Sequence, residues 1–277
     1  MDIEINQNNE TLTAVAFGRQ SALFDAQYGG NTIIQYKRQR IRTHVLQLLP
    51  PGASILELNS GTGEDAIYFA KKDFHVHATD LSEGMQQILK LKVKENHLEA
   101  RITQECCSYT ALSSLKNKGP FDMIFSNFAG LNCTDALQAV LGQFGPLLNP
   151  GGVVTLVIMP GFCLWETLLI FRGKFKTAFR RFLSHGGRRA HIDGNYFLCW
   201  YYSPGFIRNC LKESFEFLGT EGLCTAVPPS YIADFAETHP RSYRLLKKLE
   251  DRFKNKWPWR NIGDYYIISF KKTELGS

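Results

Sequence analysis

The chemistry of residues 54–66 can be inferred most directly from the sequence, because two glycines follow an apolar run there. The run predicts a buried strand that ends at Leu58, followed by a small-residue loop and by a helix from about Glu64. Gly61 and Gly63 have no Cβ, so a ligand can approach the main chain of the loop closely. The start of the helix directs unpaired N–H groups and the positive end of its dipole at the same place. This arrangement predicts a binding site for a polar, nucleotide-like ligand.

A carboxylate follows the next predicted strand. Residues 74–79 form this second strand, and Asp80 comes directly after it. In open α/β sheets, ligands bind beyond the carboxyl ends of the strands. An acid about 20 residues past a glycine turn can accept hydrogen bonds from both hydroxyls of a ribose. Asp80 is therefore predicted to bind the ribose of the ligand.

The spacing of the glycines by itself fits a dinucleotide. Gly61, Gly63 and Ala66 match the G-x-G-x-x-G/A fingerprint of NAD-binding folds. An NAD-dependent oxidoreductase is thus one interpretation of the site. It also requires an acid/base pair for hydride transfer, and no motif in the sequence identifies such a pair.

Glu57 favours a different cofactor. It closes the first strand, and the run Glu-x-Asn-x-Gly-x-Gly from Glu57 to Gly63 resembles motif I of class I S-adenosylmethionine (SAM)-dependent methyltransferases. Asp80 stands where that family has its ribose acid. The family has a glycine where this chain has Asn59, and asparagine tolerates left-handed backbone geometry better than most residues. The resemblance implies that SAM is the cofactor.

Three later segments strengthen the resemblance. Asp-Leu-Ser-x-x-Met at 80–85, Phe-Asp-x-Ile at 121–124 and Leu-Leu-x-Pro-Gly-Gly at 147–152 are similar to motifs of the same family. The resemblance covers residues 52–159. It implies a doubly wound, seven-stranded, mostly parallel sheet with helical cap insertions, whose last strand is antiparallel and lies between strands five and six. The alternation of strands and helices supports the same α/β class.

The resemblance also implies which residues contact the cofactor. The family usually places an acid just after the third strand, and this chain has Cys106 at that position. The implied contacts come from the glycine loop, from the ends of the second, third and fourth strands, and from one N-terminal tyrosine. They are Tyr28, Glu57, Asn59, Ser60, Gly61, Gly63, Asp80, Leu81, Ser82, Met85, Cys106, Cys107, Asn127 and Phe128.

The loop after the fourth strand bears on the methyl acceptor. Methyltransferases that act on nucleic-acid amino groups or on protein glutamine usually have Asp/Asn-Pro-Pro-aromatic there, whereas this chain has Ser-Asn-Phe-Ala at 126–129. The resemblance therefore implies a small-molecule acceptor and no nucleic acid. The aromatic and basic residues at about 160–202 favour an apolar or anionic acceptor. A hydroxyl acceptor would use a general base, and the candidates are His191, Asp193 and Tyr196. No metal-ligand spacing is present, so no metal is predicted.

Composition limits the remaining choices. The 277 residues are 44% hydrophobic and carry a net charge of +6, which does not require a nucleic-acid partner. Seven cysteines without a Cys-x-x-Cys pair argue against a disulfide framework or a zinc site. The N-terminal residues lack the pattern of a signal peptide, and no apolar run is long enough to span a bilayer. A reducing, cytoplasmic setting is expected, and the oligomeric state stays open.

The elements around the loop divide into two regions. Residues 1–50 are expected to form an N-terminal helical cap segment, loosely held over 1–16, and residues 51–277 the SAM-binding α/β domain. Insertions are expected at about 160–202, rich in aromatic and basic residues, and at about 231–260, which is helical. The first insertion fits a lid over the substrate, a peripheral membrane contact or a helix packed on the sheet. A non-catalytic SAM-binding or membrane-associated protein remains an alternative to an enzyme.

Overall fold

A central sheet organises the computed structural model, which describes residues 2–182, 186–192, 194–232 and 234–274, with the backbone alone at 2–8 and 172. The sheet has seven strands in the order β3-β2-β1-β4-β5-β9-β8, and β6 and β7 form a separate hairpin. The strands are β1 (Ser54–Leu58), β2 (His75–Asp80), β3 (Ile102–Cys106), β4 (Phe121–Ser126), β5 (Leu148–Ile158), β6 (Arg188–Ile192), β7 (Asn195–Cys199), β8 (Phe215–Leu223) and β9 (Tyr265–Lys272).

The direction of the strands confirms the predicted fold class. Strands β1 to β5 pair in parallel, and β9 runs antiparallel to its neighbours β5 and β8. The last strand therefore lies between the fifth and sixth strands of the sheet, as expected. The carboxyl ends of β1, β2 and β4 meet at one edge, where such folds bind ligands.

Helices flank the sheet on both faces. They are α1 (Asp2–Gly29), α2 (Thr32–Leu46), α3 (Glu64–Ala70), α4 (Glu83–Glu95), α5 (Leu137–Gly142), α6 (Leu164–Leu168), α7 (Phe175–Ala178), α8 (Pro204–Leu211), α9 (Phe235–Thr238) and α10 (Pro240–Phe253). The aromatic and basic insertion thus contains α6, α7 and the β6–β7 hairpin. The other insertion contains α9 and α10.

The apolar core lies on both faces of the sheet. Alternate residues of one strand enter different clusters, with Ile55 on one face and Leu56 on the other. In β4, Phe125 packs with Ile55, and Ile124 packs with Leu56. Strands that are buried on both faces are typical of parallel sheets covered by helices. The core therefore holds the carboxyl edge of the sheet in a fixed position.

The N-terminal segment differs from the expectation. Residues 1–16 were expected to be loosely held, but the chain from Asp2 to Gly29 is one helix. Tertiary contacts explain the difference, since packing decides helix stability more than local propensity does. Asn9 Nδ2 donates to Cys133 O at 2.7 Å, and Asn9 Oδ1 accepts from Leu198 N at 2.7 Å. Near the other end of α1, Thr62 Oγ1 donates to Asp25 Oδ1 at 2.7 Å, which ties the helix to the glycine loop.

The two loop glycines allow a paired test of packing. Both have positive φ, 55° at Gly61 and 77° at Gly63. A Cβ on Gly63 would lie 2.1 Å from Leu89 Cδ1, whereas a Cβ on Gly61 would meet no atom within 4 Å. Alanine at either position bears a left-handed backbone cost of about 1–2 kcal/mol. Gly63→Ala is expected to lose a further ~1–3 kcal/mol through overpacking.

The measurement is the free energy of unfolding of both variants in urea. Gly61→Ala serves as the control, because it changes the backbone in the same way without the steric clash. An equal loss of stability in the two variants would contradict the packing of Leu89 against Gly63.

Candidate functional site

Asp80 joins the glycine loop to the start of α4. Its Oδ2 accepts from Gly61 N at 2.9 Å, and its Oδ1 accepts from Ser82 N at 2.8 Å. Burial raises the pKa of Asp80, and the hydrogen bonds from the Ser82 and Gly61 amides oppose that rise. A carboxylate oxygen has more than one acceptor position. Asp80 can therefore hold the loop and still accept a hydrogen bond from a ligand.

Asn59 replaces the family glycine without disturbing the loop. Its φ is 48°, the left-handed geometry that the sequence suggested. Its Nδ2 donates to Asn127 O at 3.0 Å, and its Oδ1 accepts from Ser126 Oγ at 2.7 Å. Gly130 leaves room for this side chain, because a Cβ there would lie 2.2 Å from Asn59 Cγ. The asparagine side chain thus bridges β1 to the end of β4.

Two cavities adjoin at the carboxyl edge of the sheet. Each has a volume of about 280 Å³. The first, here the apolar cavity, extends under α1 to the β6–β7 hairpin, and the second, here the polar cavity, extends toward α2 and α3. They share six lining residues, which are Phe17, Phe24, Asn59, Gly61, Asn127 and Phe128.

The two cavities differ in charge. The charged side chains that line the apolar cavity are Glu10 and Asp80, and no lysine, arginine or histidine lines it among the residues the structure describes. The polar cavity has cations, but each already has a partner. Arg38 Nη1 lies 3.7 Å from Asp65 Oδ2, and Lys37 Nζ lies 2.8 Å from Asp264 Oδ2. Neither cavity therefore offers an unpaired cation from the described side chains.

Glu57 presents an unpaired acceptor to the polar cavity. The residue is 3% exposed, and its Oε2 has no hydrogen-bond partner within the described part of the chain. Burial raises the pKa of Glu57 well above its usual value, and the nearby Asp65 adds to the rise while Arg42 and Arg38 oppose it. Buried polar atoms normally have partners. The free oxygen therefore marks a position where a donor from a ligand fits.

Glu10 is a site residue that sequence reasoning missed. Its Oε1 accepts from Ser108 Oγ at 2.6 Å, and its Oε2 accepts from Thr110 Oγ1 at 2.9 Å. Burial raises the pKa of Glu10, and the hydroxyl groups of Ser108 and Thr110 oppose the rise. Tyr109 lines the same cavity with a buried, unpaired hydroxyl. No motif marks Glu10, because only the docking of α1 brings it to the end of β3.

Most of the predicted cofactor contacts come together in the two cavities. Leu81, Met85 and Cys107 line the apolar cavity with Asp80, and Ser60 and Tyr28 line the polar cavity with Glu57. Asn59, Gly61, Asn127 and Phe128 line both. This set spans the ends of β1, β2, β3 and β4, together with α1.

Three predicted contacts lie outside both linings. Gly63 packs against Leu89, and Ser82 Oγ caps α4 by accepting from Met85 N at 3.3 Å. Cys106 is exposed, and its Sγ donates to Leu81 O at 3.4 Å. Successive strand residues point to opposite faces. Cys107 therefore faces the cavity at the position where the sequence led us to expect Cys106.

Two of the three proposed general bases, His191 and Tyr196, do not reach the cavities. His191 is exposed, Tyr196 is 60% exposed, and their rings contact each other with centroids 4.7 Å apart. Asp193 lies outside the described residues. Alternation along β7 directs Phe197 and Cys199 into the apolar cavity instead, so Tyr196 points away. His191 pairs with Tyr196 across the hairpin and shares its outer face.

A buried ion cluster supports the wall of the polar cavity. Arg181 Nη2 donates to Glu166 Oε1 at 2.6 Å and to Asp264 Oδ1 at 2.8 Å, and Lys37 Nζ donates to Asp264 Oδ2 at 2.8 Å. Cys163, Glu166 and Asp264 lie close enough together to hold a metal ion. However, the two cations already neutralise the carboxylates, and burial raises the pKa of Cys163 to about 11. We therefore assign the cluster a structural role.

Breaking this cluster should be costly. Arg181→Met leaves Asp264 and Glu166 buried with less compensation, and removing one partner of a buried ion pair costs about 3–5 kcal/mol. Arg101→Met is the control, because Arg101 pairs with Asp73 at the surface, where such pairs contribute about 0–1 kcal/mol. Urea unfolding measures both variants. Equal stability of the two would show that the cluster does not hold the wall.

Comparison with known proteins finds similarity to methyltransferases. The sequence model of the methyltransferase domain matches residues 55–152. A demethylmenaquinone methyltransferase of Leptospira interrogans is 32% identical over 101 residues, which are 36% of this chain and 40% of that protein. A protein-L-isoaspartate O-methyltransferase of Yersinia pestis is 30% identical over 123 residues, 44% of this chain and 57% of that protein. The chain thus spans about half the length of the curated relatives it matches.

Solved structures show the same fold. The 1,6-didemethyltoxoflavin-N1-methyltransferase of Burkholderia thailandensis, with 1,6-didemethyltoxoflavin and S-adenosylhomocysteine bound, has a TM-score of 0.58 at 15% identity over 97% of this chain and 91% of that chain. Phosphoethanolamine N-methyltransferase 2 of Haemonchus contortus has a TM-score of 0.59 at 15% identity, over 93% of this chain and 57% of that chain. The chain has the class I methyltransferase fold. Its residues 55–152 match the sequence model of the methyltransferase domain, which confirms the resemblance found in the sequence.

No helix in the described part of the chain combines the length and the apolar composition that crossing a membrane requires.

Proposed function

We propose that this protein is a SAM-dependent methyltransferase that acts on a small, apolar acceptor. The observation that carries the proposal is the junction of the two cavities at Gly61, with Asp80 beside it. A cofactor laid across this junction would have its ribose at Asp80 and its two ends in different cavities. The cap segment 1–50 would then close over it through α1.

The residues present fit the parts of SAM. Asp80 would accept hydrogen bonds from the ribose hydroxyls, and Leu81 and Met85 would supply apolar contacts to adenine. The unpaired Oε2 of Glu57 accepts a hydrogen bond from the amino group of the methionine part. Bound SAM supplies an electrophilic methyl group. The chain holds the acceptor in line and excludes water, and such positioning accounts for much of the acceleration in reactions of this type.

The charge at the start of α3 disfavours NAD. A dinucleotide places its pyrophosphate at the helix N-terminus that follows the glycine loop. Here the first turn of α3 carries Glu64 and Asp65, and Gly63 precedes it. These carboxylates pair with Arg38, Arg42 and Lys92, so the first turn presents little net positive charge to attract a pyrophosphate. The polar cavity therefore suits the zwitterionic methionine part better than a second phosphate.

Glu10 supplies the carboxylate missing from the end of β3. It lies in the apolar cavity with Asp80, Leu81 and Cys107. We propose that one of its oxygens accepts from the amino group of adenine, the role that the family resemblance assigns to an acid after the third strand. Ser108 and Thr110 hold the carboxylate in place. In this chain Glu10 of α1, which is remote in sequence, would thus take the place of the acid at the end of the third strand.

The lining favours a neutral acceptor over an anionic one. Beyond the part that adenine would fill, the apolar cavity continues past Ala129, Cys133 and Met159 to Phe197 and Cys199. An anion placed there would meet Asp80 and Glu10 without a compensating cation from the described lining. The neighbour from Burkholderia thailandensis, solved with 1,6-didemethyltoxoflavin bound, is a precedent for a small-molecule acceptor on this fold. All seven cysteines are free, which favours a reducing, cytoplasmic compartment.

Calorimetric titration with SAM, S-adenosylhomocysteine and NAD tests the cofactor. The two sulfur nucleosides should bind and NAD should not. Asp80→Ala should weaken their binding at least about tenfold, because hydrogen bonds to a charged group contribute about 1.5–3 kcal/mol. Asp73→Ala, an exposed acid outside both linings, is the control and should bind normally. Binding of NAD alone would replace the proposal with an oxidoreductase.

A second titration tests Glu10. S-inosylhomocysteine carries a carbonyl in place of the adenine amino group, so the wild-type protein should prefer S-adenosylhomocysteine by about tenfold or more. Glu10→Gln should lose most of this preference, because an amide can donate to the carbonyl as well as accept from the amine. Glu99→Gln, at the surface, should keep it. A preference that survives in Glu10→Gln would place the adenine elsewhere.

A further inference from the structure

An apolar and basic surface on the 160–202 insertion takes no part in the site described above. Five apolar side chains there are 43% to 87% exposed, and two exposed lysines lie among them. The members of this aromatic–basic patch are Leu168, Phe171, Lys174, Phe175, Lys176, Phe179 and Phe182. None of them lines either cavity.

The phenylalanines of the patch are close together in the chain. Phe171 lies in the 3-10 turn Leu169–Arg172, Phe175 begins α7, and Phe179 and Phe182 follow α7. Phe171 is 87% exposed and Phe175 is 58% exposed. Single exposed apolar residues are ordinary, but a cluster of large ones marks an interaction surface.

The inner side of the segment is anchored to the body. Ala178 and Arg181 are each 2% exposed, and Arg181 forms the buried ion cluster with Asp264 and Glu166. Trp165 Nε1 donates to Thr225 O at 3.1 Å, and Leu164 N donates to Ile262 O at 2.9 Å. The fold therefore presents the outer phenylalanines on a fixed base, where they do not complete the core.

Charge indicates what covers this surface. From Gly161 to Ile192 the sequence has seven arginines and lysines and a single acid, Glu166. Glu166 is 1% exposed and paired with Arg180 and Arg181, so the segment shows no exposed carboxylate. Aromatic side chains beside lysines on a short helical surface are typical of segments that lie in the headgroup region of a bilayer. Lysines near an anionic bilayer surface add to the attraction.

We infer that the aromatic–basic patch docks this protein on an anionic lipid surface. Phe171 and Phe175 enter the headgroup region, and Lys174 and Lys176 face the anionic headgroups. The patch is connected to the polar cavity through Arg181, Asp264 and Lys37, since Lys37 lines that cavity. Docking would thus bring the cavities near the membrane, a phase in which an apolar acceptor concentrates. The inference rests on the surface alone and holds whether or not the methyltransferase proposal does.

Vesicle flotation of the full-length protein tests the inference. It should bind vesicles of phosphatidylcholine mixed with phosphatidylserine, bind vesicles of phosphatidylcholine alone much less, and dissociate as salt is raised. The double variant Phe171→Ser, Phe175→Ser should bind at least about tenfold less. Leu245→Ser is the matched control, because Leu245 is 58% exposed on α10, and it should bind like the wild type.

A charge variant and two solution measurements complete the test. Lys174→Glu, Lys176→Glu should also lower binding at least about tenfold, with the melting temperature and the SAM affinity unchanged. Failure to bind the phosphatidylserine vesicles, or equal binding by the phenylalanine variant, would overturn the inference. So would sedimentation velocity showing a dimer that the same phenylalanine variant converts to monomer, because a second copy would then cover the patch. If the wild-type protein binds the phosphatidylserine vesicles but does not bind SAM, the result counts against the proposed enzyme and not against the lipid contact.

Discussion

The Asp80 carboxylate is the contact on which the site depends. It accepts one amide from the glycine loop after β1 and another from the start of α4 after β2, so a single side chain sets the distance between two loops. Burial makes the charged form of this group costly, and the two amides compensate by donating to it. Asp80 also lines the apolar cavity. In the proposed complex, Asp80 would therefore combine a structural role with the binding of the ribose.

The long helix α1 is held by hydrogen bonds to the loops at the carboxyl edge of the sheet. Asn9 binds the main chain next to the hairpin and the turn after β4, Glu10 binds the loop after β3, and Asp25 binds the glycine loop and Lys92 of α4. These contacts join α1 to three separate parts of the carboxyl edge of the sheet. Each joins polar groups that would otherwise face water or remain unpaired in the interior. Helix α1 thus lines both cavities, and it adds the Glu10 carboxylate to the lining of the apolar cavity.

Charge is separated over the molecule in a way that fits the proposed roles. Carboxylates line the apolar cavity, paired cations line the polar cavity, and exposed lysines with phenylalanines occupy the outer surface of the insertion. Arg181 links the insertion to the wall of the polar cavity, because its guanidinium donates hydrogen bonds to Glu166 of the insertion and to Asp264 before β9. A buried ion cluster is weak evidence for stability, but its geometry fixes relative position well. It holds the insertion against the sheet while leaving the outer surface free.

The sequence by itself determined the parts of this protein that depend on neighbours in the chain. Gly61, Gly63 and Asp80 follow the strands that position them, so their place at the carboxyl edge could be predicted. The antiparallel last strand between the fifth and sixth strands was implied by the family resemblance instead. Asn31 and Ser203 cap their helices as local residue types predict. Tertiary structure decided the rest. Glu10 reaches the site from 98 residues before Ser108, Cys107 rather than Cys106 faces the cavity, and Tyr196 points outward because hairpin register directs Phe197 inward. A local pattern cannot encode these outcomes, since one residue of register or the docking of a distant helix reverses which side chain meets the ligand.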